Sequence, residues 1–224
     1  MAFAPNNLLI QRRERLARSR FYAILDLSYL GRQDPVQVVE DMTAGGVDII
    51  QLRGKNASEK ELAAMCEKVM PAIADAGALF ILNDHPTLAA EIGTDGAHIG
   101  QDDGGIPWGW SQLASDQLLG VSTHSVEQAL EAAKDEPDYI GVGPIFATPT
   151  KPDYAPVGLP LIGQVKAAVK MPQFCIGGVN LDTLPQVLAA GADRVVVVSA
   201  ILQSGDVLNY CRRVRALLDA TPGA

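Results

Sequence analysis

The chain has 224 residues, 48% hydrophobic and 20% charged, with a formal net charge of −8. That length and composition support one large core without disulfide or metal staples and exclude disorder for most of the chain. The acidic balance speaks against nucleic acid as a partner, and no apolar run approaches the roughly 18–20 residues of a membrane-spanning helix.

In chain order, residues 1–20 carry Arg12, Arg13, Arg15, Arg18 and Arg20 without an apolar run. They read as a helical extension covering the barrel floor, and not as a secretory signal. A strand at 21–27 precedes a helix at 35–44, and a strand at 47–52 precedes a helix at 58–76. The alternation continues with strand 78–82 and helix 86–92, then strand 96–100 and a weaker helix at 107–114. Strand 118–122 leads to helix 126–135, strand 139–145 to helix 159–169, strand 173–176 to helix 181–190, and strand 194–198 to helix 206–220. Ser58 followed by Glu61 forms a capping box, Ser125 and Asp182 read as N-caps, and Gly45, Gly77 and Gly191 close helices in the left-handed region.

Three helix ends share one wording, AGGVD at 44–48, ADAGA at 74–78 and AAGAD at 189–193. That recurrence, with strands about every 25 residues, marks a repeated strand–helix unit. Eight such units without a linker predict an α/β fold, a single (β/α)8 TIM barrel over 21–224 with an N-terminal helical extension over 1–20. A doubly wound open sheet is disfavoured because no Gly-rich turn follows the first strand. Three scattered cysteines (Cys66, Cys175, Cys211) without CxxC spacing read as reduced thiols in a cytoplasmic setting.

Barrel chemistry is expected at the C-terminal ends of the strands. There the chain places Gln51-Leu52-Arg53-Gly54-Lys55, Asn83-Asp84-His85, Gln101-Asp102-Asp103, Ser122-Thr123-His124, Thr148-Pro149-Thr150-Lys151, Gly177-Gly178 and Ser199. Between residues 21 and 211 only ten Lys/Arg face 24 Asp/Glu. The convergence of Arg53, Lys55 and Lys151 on this rim therefore predicts an anion site. Alternation puts Gln51 and Arg53 on one strand face. Asp84 and Asp103 end neighbouring strands, a pair suited to Mg²⁺ shared with a phosphate, and equally readable as helix and turn caps. The Gly177-Gly178 pair with Val198-Ser199 matches the usual phosphate position of barrels. The proline-rich segment 147–158 reads as a lid or substrate clamp. His98 and His124 read as structural, and no Ser-His-Asp, Cys-His or HExxH arrangement is present.

In order and spacing, the blocks QLRGK (51–55), ND (83–84), DGAHIGQDD (95–103), GVSTH (120–124), DYIGVGPIFATPTK (138–151), IGGV (176–179) and AGADRVVVVSAI (190–201) resemble the thiamine-phosphate synthase family. The resemblance implies a transferase that joins a hydroxymethylpyrimidine diphosphate to a thiazole phosphate, releasing pyrophosphate. By position it implies that Gln51, Leu52, Arg53, Gly54, Lys55, Asn83, Ser122 and Lys151 contact the pyrimidine diphosphate. Asp84 and Asp103 would hold Mg²⁺, and Thr148, Pro149, Thr150, Gly177, Val197 and Val198 would line the thiazole phosphate site. Arg53, Lys55, Ser122 and Lys151 would carry the catalysis.

Two departures stand out. Gly54 replaces a usual acidic residue and is expected to loosen the loop bearing Lys55, and Arg194 replaces a usual small residue at the start of the last strand. The sister thiazole tautomerase is a rival reading, but it lacks the Asn-Asp pair and carries histidine where this chain has Pro144. A non-catalytic thiamine-precursor binding protein is the other.

Overall fold

The computed structural model describes residues 7–148 and 155–221. Among these, parallel strands β1 (Phe21–Asp26), β2 (Ile49–Arg53), β3 (Leu79–Asn83), β4 (Gly96–Ile99), β5 (Leu118–Thr123), β6 (Tyr139–Val142), β7 (Gln173–Cys175) and β8 (Val195–Val197) close in sequence order into a barrel. Helix α1 (Asn7–Arg18) precedes β1, and α2 (Leu27–Leu30) and α3 (Pro35–Ala44) follow it. Next come α4 (Glu59–Asp75), α5 (Pro86–Ile92), α6 (Ile106–Gln112), α7 (Val126–Lys134), α8 (Pro160–Ala168) and α9 (Leu184–Ala189), one after each strand. After β8 the chain forms α10 (Ser199–Leu202) and α11 (Val207–Asp219). The predicted (β/α)8 barrel with a helix at its N-terminal end is therefore the fold. The one-turn helices α2 and α10 are too short to leave a periodic signal and were not foreseen.

Two apolar layers hold the barrel. The larger lies between sheet and helices, where Ile50 and Leu52 of β2 pack with Leu62, Cys66 and Val69 of α4. The smaller fills the barrel with Tyr22, Ile24, Ile49, Leu79, Ile81, Leu118, Tyr139, Phe174 and Val196. Strand periodicity makes the division: Ile49, Gln51 and Arg53 face in while Ile50 and Leu52 face out. Tyr22 and Tyr139 meet Phe174 edge-on, with ring centroids 5.4 and 5.5 Å away. Gly120 makes room for this stack, because a Cβ there would lie 2.1 Å from the Tyr139 ring.

The acidic body and basic N-terminal segment meet at the barrel floor. Leu16 of α1 packs into the interior cluster. Arg12 pairs with Asp95 at 2.7 Å and Asp116 at 3.1 Å, Arg13 with Asp138 at 2.7 Å, and Arg15 with Asp95 at 3.3 Å. Asp48, Asp95 and Asp138, each just ahead of an even-numbered strand, also accept the N–H groups of Phe21, Phe80 and Leu119 on the preceding strand. Arg194 donates to the Ala17 carbonyl, so this departure from the family pattern fastens α1.

The local signals are realised in part. The Ser58–Glu61 capping box and the Ser125 cap are present. Hydrogen bonds from the Ser58 side chain and backbone hold the Glu61 carboxyl below its usual range. Gly77 and Gly191 take left-handed φ of 72° and 99°, but Gly45 stays right-handed at −82° and Gly46 makes the turn at 94°. Asp182 does not cap: α9 starts after Thr183, and the Asn180 side chain accepts the N–H groups of both Asp182 and Thr183. The sixth strand ends at Val142 and not at 145, because Pro144 has no N–H to continue a ladder.

Candidate active site

A cavity of about 360 Å³ opens at the C-terminal mouth of the barrel. Arg53, Asn83, Ser122, Thr148, Gly177 and Val198 form part of its wall, and Tyr22, Tyr139 and Phe174 part of its lower lining. Most predicted rim residues on strands thus reach one space. Leu52 and Val197 do not send their side chains there; both are fully buried in the outer layer. Lys55 is exposed on the loop after β2. Pro149, Thr150 and Lys151 lie outside the described residues, as does half of the predicted clamp, 149–154.

Arg53 is held firmly. Its Nη1 lies 2.5 Å from Asp26 Oδ2, with the two side chains 11% and 1% exposed. Asp26 Oδ1 accepts the N–H and hydroxyl of Ser28, so one buried carboxylate both starts α2 and orients the guanidinium. The sequence reading missed Asp26. Applying to the first strand the rim test used on the others would have found it, since Asp26 ends the apolar run FYAIL. Gly54 lies in a closely packed part of its loop. A Cβ there would lie 2.9 Å from both Leu27 and Leu62 and 3.0 Å from Ala57, so the bare backbone lets the loop pack closely.

Asp84 and Asp103 follow adjacent paired strands, with Asn83 opposite His98 in the register. Asp84 takes a left-handed φ of 63°, rare for a non-glycine residue, and its N–H donates to the His98 carbonyl. The N-cap of α5 is His85, so helix capping is not the task of Asp84. Asp103 folds back so that Oδ2 accepts the Gly100 N–H at 2.7 Å. Among the described residues no three or more His, Cys, Asp or Glu side chains gather as a metal cage. Asp84 and Asp103 are hard carboxylate donors of the kind Mg²⁺ takes when water and a phosphorylated ligand fill the rest of its shell.

Beneath the mouth runs a buried polar series. Gln51 Nε2 donates to Tyr22 Oη at 2.9 Å, and Tyr22 Oη lies 3.0 Å from Tyr139 Oη. Tyr139 Oη lies 3.3 Å from His98 Nδ1, and His98 Nε2 lies 2.9 Å from Ser122 Oγ. Burial pushes both phenols up, which keeps them protonated. His124 is also engaged, through Nδ1 and the Gly143 carbonyl. Both histidines therefore have the structural partners expected of them, while the two tyrosines gave no rim signal because they sit near the strand starts.

The opposite wall depends on glycine. Gly177 and Gly178 have φ of 97° and 66°, and a Cβ on them would lie 2.4 Å from Pro144 and 2.6 Å from Phe146. The carbonyls of Ile176 and Gly177 accept the N–H groups of Ile145 and Phe146, joining the β6 and β7 loops. Gly177→Ala is expected to cost about 1–3 kcal/mol from clash and backbone strain together, read by urea denaturation. A wild-type midpoint would mean the two loops can separate.

The family described as thiamine monophosphate synthase matches residues 21–201. The chain belongs to this family. A thiamine-phosphate synthase of Shouchella clausii (strain KSM-K16) is 42% identical over 189 residues, 84% of this chain and 90% of that protein. One of Chloroflexus aurantiacus is 37% identical over 203 residues, 90% and 94% of the two chains. The solved thiamine phosphate pyrophosphorylase of Pyrococcus furiosus superposes with a TM-score of 0.84 at 30% identity, covering 94% of this chain and 99% of that one. The thiamine monophosphate synthase match takes in every rim residue named above, and α1 lies before it.

Proposed function

We propose that this enzyme condenses 4-amino-2-methyl-5-hydroxymethylpyrimidine diphosphate with a thiazole phosphate to give thiamine phosphate and pyrophosphate. The observation that supports this reading is the gathering of Arg53, Asn83, Ser122 and the Gly177-Gly178 turn around one mouth, in a chain of this family. Its partners are then small molecules. Three buried, unpaired cysteines and the lack of any described helix long and apolar enough to cross a membrane support the cytoplasm as its place. We take 21–224 as the catalytic barrel and 1–20 as its extension.

The pyrimidine diphosphate would meet Gln51, Arg53, Lys55, Asn83, Ser122 and Lys151 by side chain, and Leu52 and Gly54 by backbone. Thr148, Pro149, Thr150, Gly177, Val198 and the backbone of Val197 would receive the thiazole phosphate. Asp84 and Asp103 would hold Mg²⁺, which when bound neutralises charge on the departing diphosphate. The bond that breaks joins the pyrimidine methylene to diphosphate oxygen, and its electron pair leaves with pyrophosphate. The electron-rich ring stabilises the resulting cation, and the thiazole nitrogen lone pair closes the new C–N bond. Arg53, fixed by Asp26, offers its donors to the leaving group without reorganising. Confinement holds the two reactants in line. That nitrogen has no proton to lose, so the site needs no general base.

The test incubates the full chain with both precursors and Mg²⁺ and follows pyrophosphate. Release matched by thiamine phosphate supports the reading. Conversion of a thiazole isomer without release would replace it by a tautomerase, and calorimetric binding without turnover by a binding protein. Lys151→Ala is expected to slow release about 10²-fold, whereas Lys60→Ala, on exposed α4 surface, leaves it within twofold. Equal effects would remove Lys151 from the reaction.

A further inference from the structure

We propose that the series Gln51–Tyr22–Tyr139–His98 has a single hydrogen-bond direction, which fixes His98 as the neutral Nε2–H tautomer and leaves the Ser122 hydroxyl as a donor to the pyrimidine diphosphate. The direction follows from its first member. An amide nitrogen only donates, so Tyr22 Oη accepts from Gln51 and must send its own proton on. The neighbour within reach is Tyr139 Oη, whose proton then points to His98 Nδ1. An imidazole accepting at Nδ1 carries its proton on Nε2, and that N–H meets Ser122 Oγ. Ser122 lines the cavity, and with its oxygen already accepting, its proton is presented to the ligand.

The reverse direction fails at its end. With His98 protonated on Nδ1, Tyr139 would donate to Tyr22, and Tyr22, only 2% exposed, could pass its proton on only if the Gln51 amide turned over to accept it, against the placement of Nε2 beside Tyr22 Oη. A doubly protonated ring meets the same obstacle. Keeping the imidazole neutral also suits the chemistry, since an imidazolium beneath a forming carbocation would oppose it. His98, Tyr139 and Tyr22 are therefore positioning residues that act through Ser122. This role for Ser122 rests on the proposed reaction; the tautomer does not.

The decisive measurement is a long-range ¹H–¹⁵N correlation spectrum of the full chain labelled with [¹⁵N]histidine at neutral pH, with His98→Gln identifying the His98 signals among the three histidines. Expected is a bare Nδ1 and a protonated Nε2. The Nδ1–H pattern, or two protonated nitrogens, would overturn the proposal. In Tyr139→Phe the donor to Nδ1 is lost, so the two nitrogen shifts should move toward their average. In that variant kcat should fall between about 10- and 100-fold, with KM for the pyrimidine diphosphate changed less than threefold. Unchanged shifts in Tyr139→Phe would equally overturn it. A protein with the expected tautomer but no pyrophosphate release would sink the synthase reading alone.

Discussion

Asp84→Asn and Asp103→Asn should each slow pyrophosphate release by about 100-fold or more while the melting temperature stays at the wild-type value. Asparagine is the informative substitute at both places. At residue 84 it tolerates the left-handed backbone that alanine would strain, and at residue 103 its carbonyl oxygen can still accept the Gly100 N–H. Each change therefore removes a negative charge while keeping the local backbone. If the carboxylates hold Mg²⁺, the concentration of Mg²⁺ for half-maximal rate should rise in both variants. Rates near wild type in both, at limiting Mg²⁺, would dismiss the metal assignment and leave Asp103 as a turn-forming residue.

The second large effect is expected from Asp26→Ala. The substitution leaves the Arg53 guanidinium mostly buried and without its carboxylate, a situation that costs about 3–5 kcal/mol. For a chain of this size that lowers the melting temperature by roughly 10 °C. The freed arginine should also lose its aim, raising KM for the pyrimidine diphosphate. Asp26→Asn keeps the acceptor for Ser28 but drops the charge, so it should recover stability in part and KM hardly at all. A variant lacking this carboxylate yet matching wild type in both measurements would show that Arg53 is oriented by something else.

How much of this was legible in the sequence depends on the range of the interaction. Period-two patterning placed Gln51 and Arg53 on one face because side-chain alternation is local, and it sorted the polar residues to the strand ends. The same alternation turns Leu52 outward in the barrel, although position in the family block suggested a ligand contact. Asp26 escaped because the partner that gives it meaning, Arg53, is 27 residues away. Tyr22 and Tyr139 read as ordinary strand aromatics, and only closure of the barrel brings their hydroxyls to 3.0 Å across 117 residues. The close packing around Gly54 was hidden for the same reason: its neighbours Leu27 and Leu62 come from other elements. The floor charges were visible as an imbalance between the ends and the body of the chain, but their pairing needed the fold.

That floor has a practical corollary. With Leu16 packed into the base of the barrel and three arginines clamping α1 against it, the cavity opens at the opposite end. A surface tether that engages the exposed face of α1 would therefore hold the molecule by its underside, leaving the entrance unobstructed for immobilised use.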